Sequence, residues 1–306
     1  MRWLVCIHLR DDEAAHVVQQ SVRWATPAGA KLDLLFVQEP TVAPTWVSAP
    51  LSALVYERPS EQMRVEEGVQ LERLRQHLPE NVRGRALYVE GRPGDEILKR
   101  AASGDYRLVT LAGRRHSAVS RVLLGSVAVN VARHSDIPVL IIPSRDHGAP
   151  PRDKGELRGV FGVDLRSSNA GTGLDEGTLW SSLFHSRLDL AHIDPSRQKL
   201  PFIDDPDVRH RFEQEWQAFR EYDIGRLRVL LDRLPASVRG VPRLEEGAPA
   251  EGIAALAEEY DWIAIATHGR TGLTRWFLGS VAERVLQMCT RPVLLLRAHS
   301  TTHPSK

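Results

Sequence analysis

A chain of 306 residues has the length of two ordinary domains, and its 42% hydrophobic and 26% charged residues describe a globular chain with enough apolar side chains for a core in each. The 40 Lys and Arg against 39 Asp and Glu leave a net charge of +1, too little basic excess to hold a polyanion, which argues against nucleic acid as the main partner. Cys6 and Cys289 lie far apart in apolar contexts, so neither a disulfide framework nor a metal cluster is expected, and a reducing, cytoplasmic setting is.

The first strand candidate is the apolar run 3–7, which passes straight into Arg10, Asp11 and Asp12 and so reads as neither a signal peptide nor a membrane span. A second aliphatic run follows at 32–37. Residues 39–59 are Pro-rich and carry Trp46, Leu51, Leu54 and Val55, consistent with a surface loop over a sheet edge or with a ligand lid. The spacing at 60–77 predicts a charged amphipathic helix. Residues 86–90 read as a third strand and run into the turn Gly91-Arg-Pro93, a helix ending at 103 and a fourth strand at 108–111. The basic run Arg114, Arg115, His116 and Arg121 is either a solvated face or an anion contact. It leads into Arg121-Val-Leu-Leu-Gly-Ser-Val-Ala128, a helix, and a last strand at 139–142.

Residues 144–155 hold two prolines, two glycines and five charged residues without periodicity, the composition of a linker. Beyond them the same order returns. Strand candidates 160–163 and 188–193 come first, the latter 156 positions after 32–37. A helix is predicted at 207–233, with Phe212, Trp216, Phe219, Ile224, Leu227 and Leu231 as its buried stripe. Gly247-Ala-Pro249 repeats the earlier turn, a helix ends at 259, and 262–265 repeats the fourth strand. Arg275-Trp-Phe-Leu-Gly-Ser-Val-Ala282 then returns 154 positions after its first copy, ahead of a strand at 293–296. The tail from 299 is expected to fray. One domain is therefore written twice, over 1–145 and 156–298, with a linker at 146–155. Short aliphatic strands alternating with helices predict an α/β fold with a parallel sheet in each copy.

The residues that suggest chemistry follow the fourth strand of the second copy: Ala266-Thr-His-Gly269, nine residues, then Gly279-Ser280 and a helix. Backbone amides approach an anion closely only where no Cβ intrudes, the first helical turn has unpaired N–H groups, and a serine hydroxyl adds a donor. Such a loop follows the carboxyl end of a strand, where open parallel sheets gather ligands, and Asp164 would close the first strand at the same crevice. The simpler reading of each Gly-Ser pair is a serine helix cap. Asp33 and Asp189 occupy equivalent strand positions, which points to a structural role, and no nucleophile, base and orienting residue can be assembled from spacing.

Taken together, these features resemble the universal stress protein family, in a tandem form of two fused domains. The family signature is Gly-x2-Gly-x9-Gly-Ser/Thr after the fourth strand, with an Asp ending the first strand and a Gly-x-Pro turn before the third helix. The resemblance implies Rossmann-like domains of strand order 3-2-1-4-5 with helices on both faces, binding ATP or another adenine nucleotide with or without magnesium. By the same resemblance Asp164 would lie beside adenine and ribose, and Ile193 would line the base pocket. Ala266, His268 and Gly269 with the loop to Gly279 would wrap the phosphates, and Ser280 would donate to them. It further implies a stress-response or signalling protein with a protein partner still to be named, at most slow ATP hydrolysis and no membrane. The last strands would pair as an internal pseudo-dimer, with a homodimer also open.

Departures from the signature are unequal. In the second copy Ala266 replaces the first glycine; in the first, Arg115 replaces the second glycine and His8 stands where Asp164 would be, so the first copy is expected to bind nucleotide poorly. A nucleotide-independent scaffold of the same fold is the competing reading.

Overall fold

The computed structural model describes residues 1–9, 13–39, 61–113, 125–144, 156–167, 170–195, 205–267 and 278–297. These fall into two compact units, one within residues 1–145 and the other within 146–306.

The first unit holds β1 (Arg2–Ile7), α1 (Glu13–Ala25), β2 (Lys31–Gln38), α2 (Glu61–Gln76), β3 (Arg83–Glu90), α3 (Pro93–Ala101), β4 (Leu108–Gly113), α4 (Ser126–His134) and β5 (Val139–Pro143). Its strands pair in parallel in the order β3-β2-β1-β4-β5. The second unit repeats the series with β6 (Leu157–Gly162), α5 (Leu174–Leu183), β7 (Ser186–Asp194), α6 (Pro206–Leu231), β8 (Arg239–Glu246), α7 (Pro249–Leu256), β9 (Trp262–Thr267), α8 (Ser280–Met288) and β10 (Val293–Arg297). Its order, β8-β7-β6-β9-β10, is again parallel throughout. The expected order 3-2-1-4-5 therefore holds in each unit.

The central strands are nearly unbroken runs of buried residues: Trp3, Leu4 and Val5 of β1 and Trp262, Ile263 and Ala264 of β9 are fully buried. A strand covered by helices on both faces has no polar side to alternate with, which is why aliphatic runs located it. Because the chain steps from the first strand outward to the third and then returns to the fourth, right-handed crossovers place the first two helices on one face and the last two on the other. In both units the strand order reverses beside the first strand, between β1 and β4 and between β6 and β9.

Helix α1 is not among the elements anticipated from the sequence, although Ala14, Val17, Val18, Ser21, Trp24 and Ala25 bury one face at helical spacing. The stripe expected on α6 is partly right. Trp216, Leu227 and Leu231 are buried, Phe212, Phe219 and Ile224 only half-buried, and Asp223 is fully buried in their midst.

Each Gly-x-Pro turn has a geometric cause. Gly91 and Gly247 have φ of +154° and +141°, a region that favours glycine. Pro93 and Pro249 then open α3 and α7 at a position where a missing N–H costs nothing.

The two equivalent aspartates share an arginine, a backbone amide and a tyrosine as donors, and Asp33 has a second arginine besides. Asp33 is fully buried and accepts from Arg2 Nη1 (2.7 Å), the Arg85 amide and Nε (2.8 Å each) and the Tyr106 hydroxyl (3.0 Å). Asp189 is equally buried and accepts from Arg158 Nη2, the Val241 amide (2.9 Å) and the Tyr260 hydroxyl (2.7 Å). Gly84 and Gly240 make room, since a Cβ at either would run into the carboxylate. Burial and then the bond to the aspartate push both tyrosine hydroxyls above their usual range. Both acids belong to the amino-terminal part of their strands, away from the edge where ligands gather, so the structural role read from the sequence holds.

Cys6 and Cys289 are free and buried, and burial pushes both thiols up, Cys289 to about 12. Among the described residues no helix is long and apolar enough to cross a membrane.

Candidate functional site

The carboxyl edge of the second unit is built by three neighbouring strands in register. Gly162 of β6 pairs with Ala191 of β7 on one side and Ile265 of β9 on the other. Two residues further on, Asp164, Ile193 and Thr267 therefore come level along the edge that flanks the reversal of strand order, where ligands of open parallel sheets gather. Since α8 must run back down to feed β10, its amino terminus opens at the same edge.

Asp164 is exposed. Its Oδ1 accepts the Arg166 amide (2.9 Å) while its carbonyl accepts the Ser167 amide (3.1 Å), closing a tight turn with the carboxylate on its outer side. Ile193 is buried, and its side chain packs beneath α7, where a Cβ at Gly252 would come within 2.7 Å of it. It forms a wall under that helix rather than an open surface.

Ala266 is half-buried and its methyl faces Gly173, at the mouth of α5. Gly173 has φ +81°, and a Cβ there would lie 2.9 Å from the Ala266 Cβ. The extra methyl at 266 is thus accommodated by the absence of one at 173. His268 and Gly269 lie outside the described residues, as does Arg115.

Gly279 is half-buried with φ −50° and ψ 149°, and its carbonyl accepts the first helical bond, from the Glu283 amide at 3.0 Å. It is therefore the cap of α8, and exposed Ser280 is the first helical residue. The same holds for Gly125 and Ser126 at α4. This corrects the expectation that the serines are the caps. At Gly279 the φ is one that any residue adopts, so the backbone there does not require glycine. The first-turn N–H groups of α8 have no intrahelical acceptor and carry the positive end of the helix dipole.

Sequence reasoning missed the acids behind this edge. The Arg166 guanidinium reaches both oxygens of Asp223, Nη2 to Oδ2 at 2.8 Å and Nη1 to Oδ1 at 3.3 Å, and donates to Asp194 Oδ2 at 3.2 Å. It lies over the Phe219 ring, 4.4 Å from its centroid. Asp223 and Asp194 are both buried. The available signal was an acid on an apolar helical stripe, four residues from Phe219 and four from Leu227.

The first unit presents a different edge. His8, in the position of Asp164, is exposed and meets Phe36 edge-on at 6.2 Å. Glu67 of α2 is buried and accepts the Tyr88 hydroxyl at 2.9 Å; burial first, and then this bond, push that hydroxyl to about 12.

Comparison with known proteins fits this architecture. The model of the universal stress protein family matches residues 1–143 and again 160–297. A universal stress protein of Mycolicibacterium smegmatis is 26% identical over 286 residues, which covers 90% of this chain and 92% of that protein. Universal stress protein Rv1996 of Mycobacterium tuberculosis is 28% identical over 201 residues, 62% of this chain and 58% of its own. Among solved structures, a universal stress protein from Archaeoglobus fulgidus shares the fold with a TM-score of 0.57 at 19% identity, covering 97% of this chain and 98% of that one. With one family model matching twice and spanning most of the sequence, the chain belongs to the universal stress protein family, in its tandem form with two copies of the domain.

Proposed function

We propose that the second unit binds an adenine nucleotide, ATP foremost, and that the chain serves a stress response through a partner that reads the bound state. The observation that carries this reading is the start of α8: Gly279 as its cap, exposed Ser280 as its first residue and first-turn amides that have no intrahelical acceptor, on the strand edge that also presents the Asp164 carboxylate. In this reading Asp164 and Ile193 flank the nucleoside, and Ala266, His268, Gly269, Gly279 and Ser280 surround the phosphates. Among the described residues no group of three or more His, Cys, Asp or Glu is arranged to hold a metal, so magnesium would arrive on the phosphates. The first unit, with His8 and Arg115 at the corresponding positions, is proposed to leave its edge without nucleotide. The domains are taken as 1–145 and 156–298, joined by a linker at 146–155.

Calorimetric titration of the full chain with ATP tests the reading. One site per chain is expected; absence of heat at millimolar ATP would remove it, and two equivalent sites would remove the asymmetry. In Ser280→Ala we expect affinity to fall about tenfold, equivalent to ~1.4 kcal/mol, for loss of one hydrogen bond to a charged group. Because this hydroxyl is not the helix cap, the melting temperature should stay unchanged. Unaltered affinity would show that Ser280 does not touch the ligand.

A further inference from the structure

We infer that Arg166 is a positioning residue, which fixes the turn that presents Asp164 and thereby ties the proposed nucleotide edge to helix α6; this rests on the nucleotide reading above. Two independent attachments meet in this one residue. Its backbone amide is bonded to the Asp164 carboxylate, and its side chain is bonded bidentately to Asp223 in the buried face of α6 and to Asp194 at the end of β7. Leu165, between them, is buried, so the short segment is held from below as well.

The geometry constrains rotation. A planar guanidinium bonded to both oxygens of a buried carboxylate and laid on the Phe219 ring has little freedom left, and the backbone that carries it inherits part of that restraint. Asp223 also has Arg226 at 3.9 Å, so the two buried acids face two arginines. The Asp164 carboxylate is then presented in one orientation before any ligand arrives, and a ligand that engages it pulls on α6 through Arg166.

The duplication supplies a second observation. Leu9-Arg10 stands in the first unit where Leu165-Arg166 stands in the second, and Glu67 is the residue of α2 equivalent to Asp223 of α6, each 156 positions earlier. Leu9 and Glu67 are both buried. The residue types recur in the sequence of both copies, while the residue two places before the arginine differs, Asp164 in one and His8 in the other. A leucine-arginine pair and a buried helical acid kept beside two edges of different chemistry fit a role in presentation and not in one ligand's contact set.

The test is a double-mutant cycle on the full chain with ATP as the probe. Arg166→Met keeps an unbranched stem over Phe219 and removes the fork. It is expected to raise the Kd for ATP about tenfold in the native background, but by less than about twofold when Asp164 is already alanine, since neighbours that act through one another are non-additive. An equal loss in both backgrounds would overturn the inference, because a structural role alone would weaken both alike. Amide exchange at Arg166 and Ser167 in the ligand-free protein reads the fastening independently of any ligand. Exchange about tenfold faster in Arg166→Met is expected, and unchanged exchange overturns the positioning role. Failure of the native chain to bind ATP, with faster exchange in the variant, would sink the nucleotide reading and leave the fastening standing.

Discussion

Asp189→Ala is expected to lower the unfolding free energy of the second unit by about 3 kcal/mol, measured by urea titration. The substitution strips acceptors from the Tyr260 hydroxyl, the Val241 amide and Arg158 at once. Tyr260 is fully buried, so its hydroxyl has no water to turn to, and a buried donor left without a partner costs about 1–3 kcal/mol. Arg158 moderates the total: its side chain is 38% exposed and can be rehydrated, which keeps the estimate at the lower end of that for a broken buried pair. Asp189→Asn should fall between native and alanine, because its amide oxygen still accepts one bond while the charge is gone. A loss below about 1 kcal/mol for alanine would show that the cluster is not what holds β7 to β6 and β8.

Gly279→Arg is expected to abolish nucleotide binding, a loss beyond about 100-fold or ~2.8 kcal/mol, with little change in melting temperature. The backbone at Gly279 lies at φ −50° and ψ 149°, open to any residue, so the substitution is free of backbone strain. The cap's carbonyl still accepts the Glu283 amide. What changes is the approach, because a long side chain would stand where a phosphate must come against the first turn of α8, and this steric block is expected to outweigh the attraction of its charge. The substitution also puts an arginine into the second unit's signature, where the first unit has Arg115 in its own. Calorimetry with ATP reads the binding and scanning calorimetry the fold. Native affinity in the variant would place the ligand elsewhere.

The strands were legible because runs such as 3–7 and 262–265 are apolar on both faces and because the second copy confirms the register of the first, while their order was implied by the family resemblance. The Gly-x-Pro turns were legible for a backbone reason that sequence states directly. At the carboxyl edge legibility falls off. Whether Gly279 or Ser280 caps α8 depends on which carbonyl accepts the first helical bond, and adjacent residues of suitable type look alike in sequence. The fit of Ala266 against Gly173 joins residues in separate loops, and no local pattern announces it. The Arg166–Asp223 pair spans 57 residues; its trace was an acid on an apolar stripe, easily passed over when only the apolar members are counted.

The paired aspartates near the amino ends of β2 and β7 have a consequence for how the two halves parted company. Each is a foundation: one carboxylate gathering an arginine, a tyrosine and a backbone amide, with a glycine left bare to admit it. Nothing in that assembly depends on what stands at the other end of the strands. The two copies keep this footing in common while their upper rims differ, His8 in one and Asp164 in the other. Separation of footing from rim lets one half lose or change a ligand while it keeps its shape.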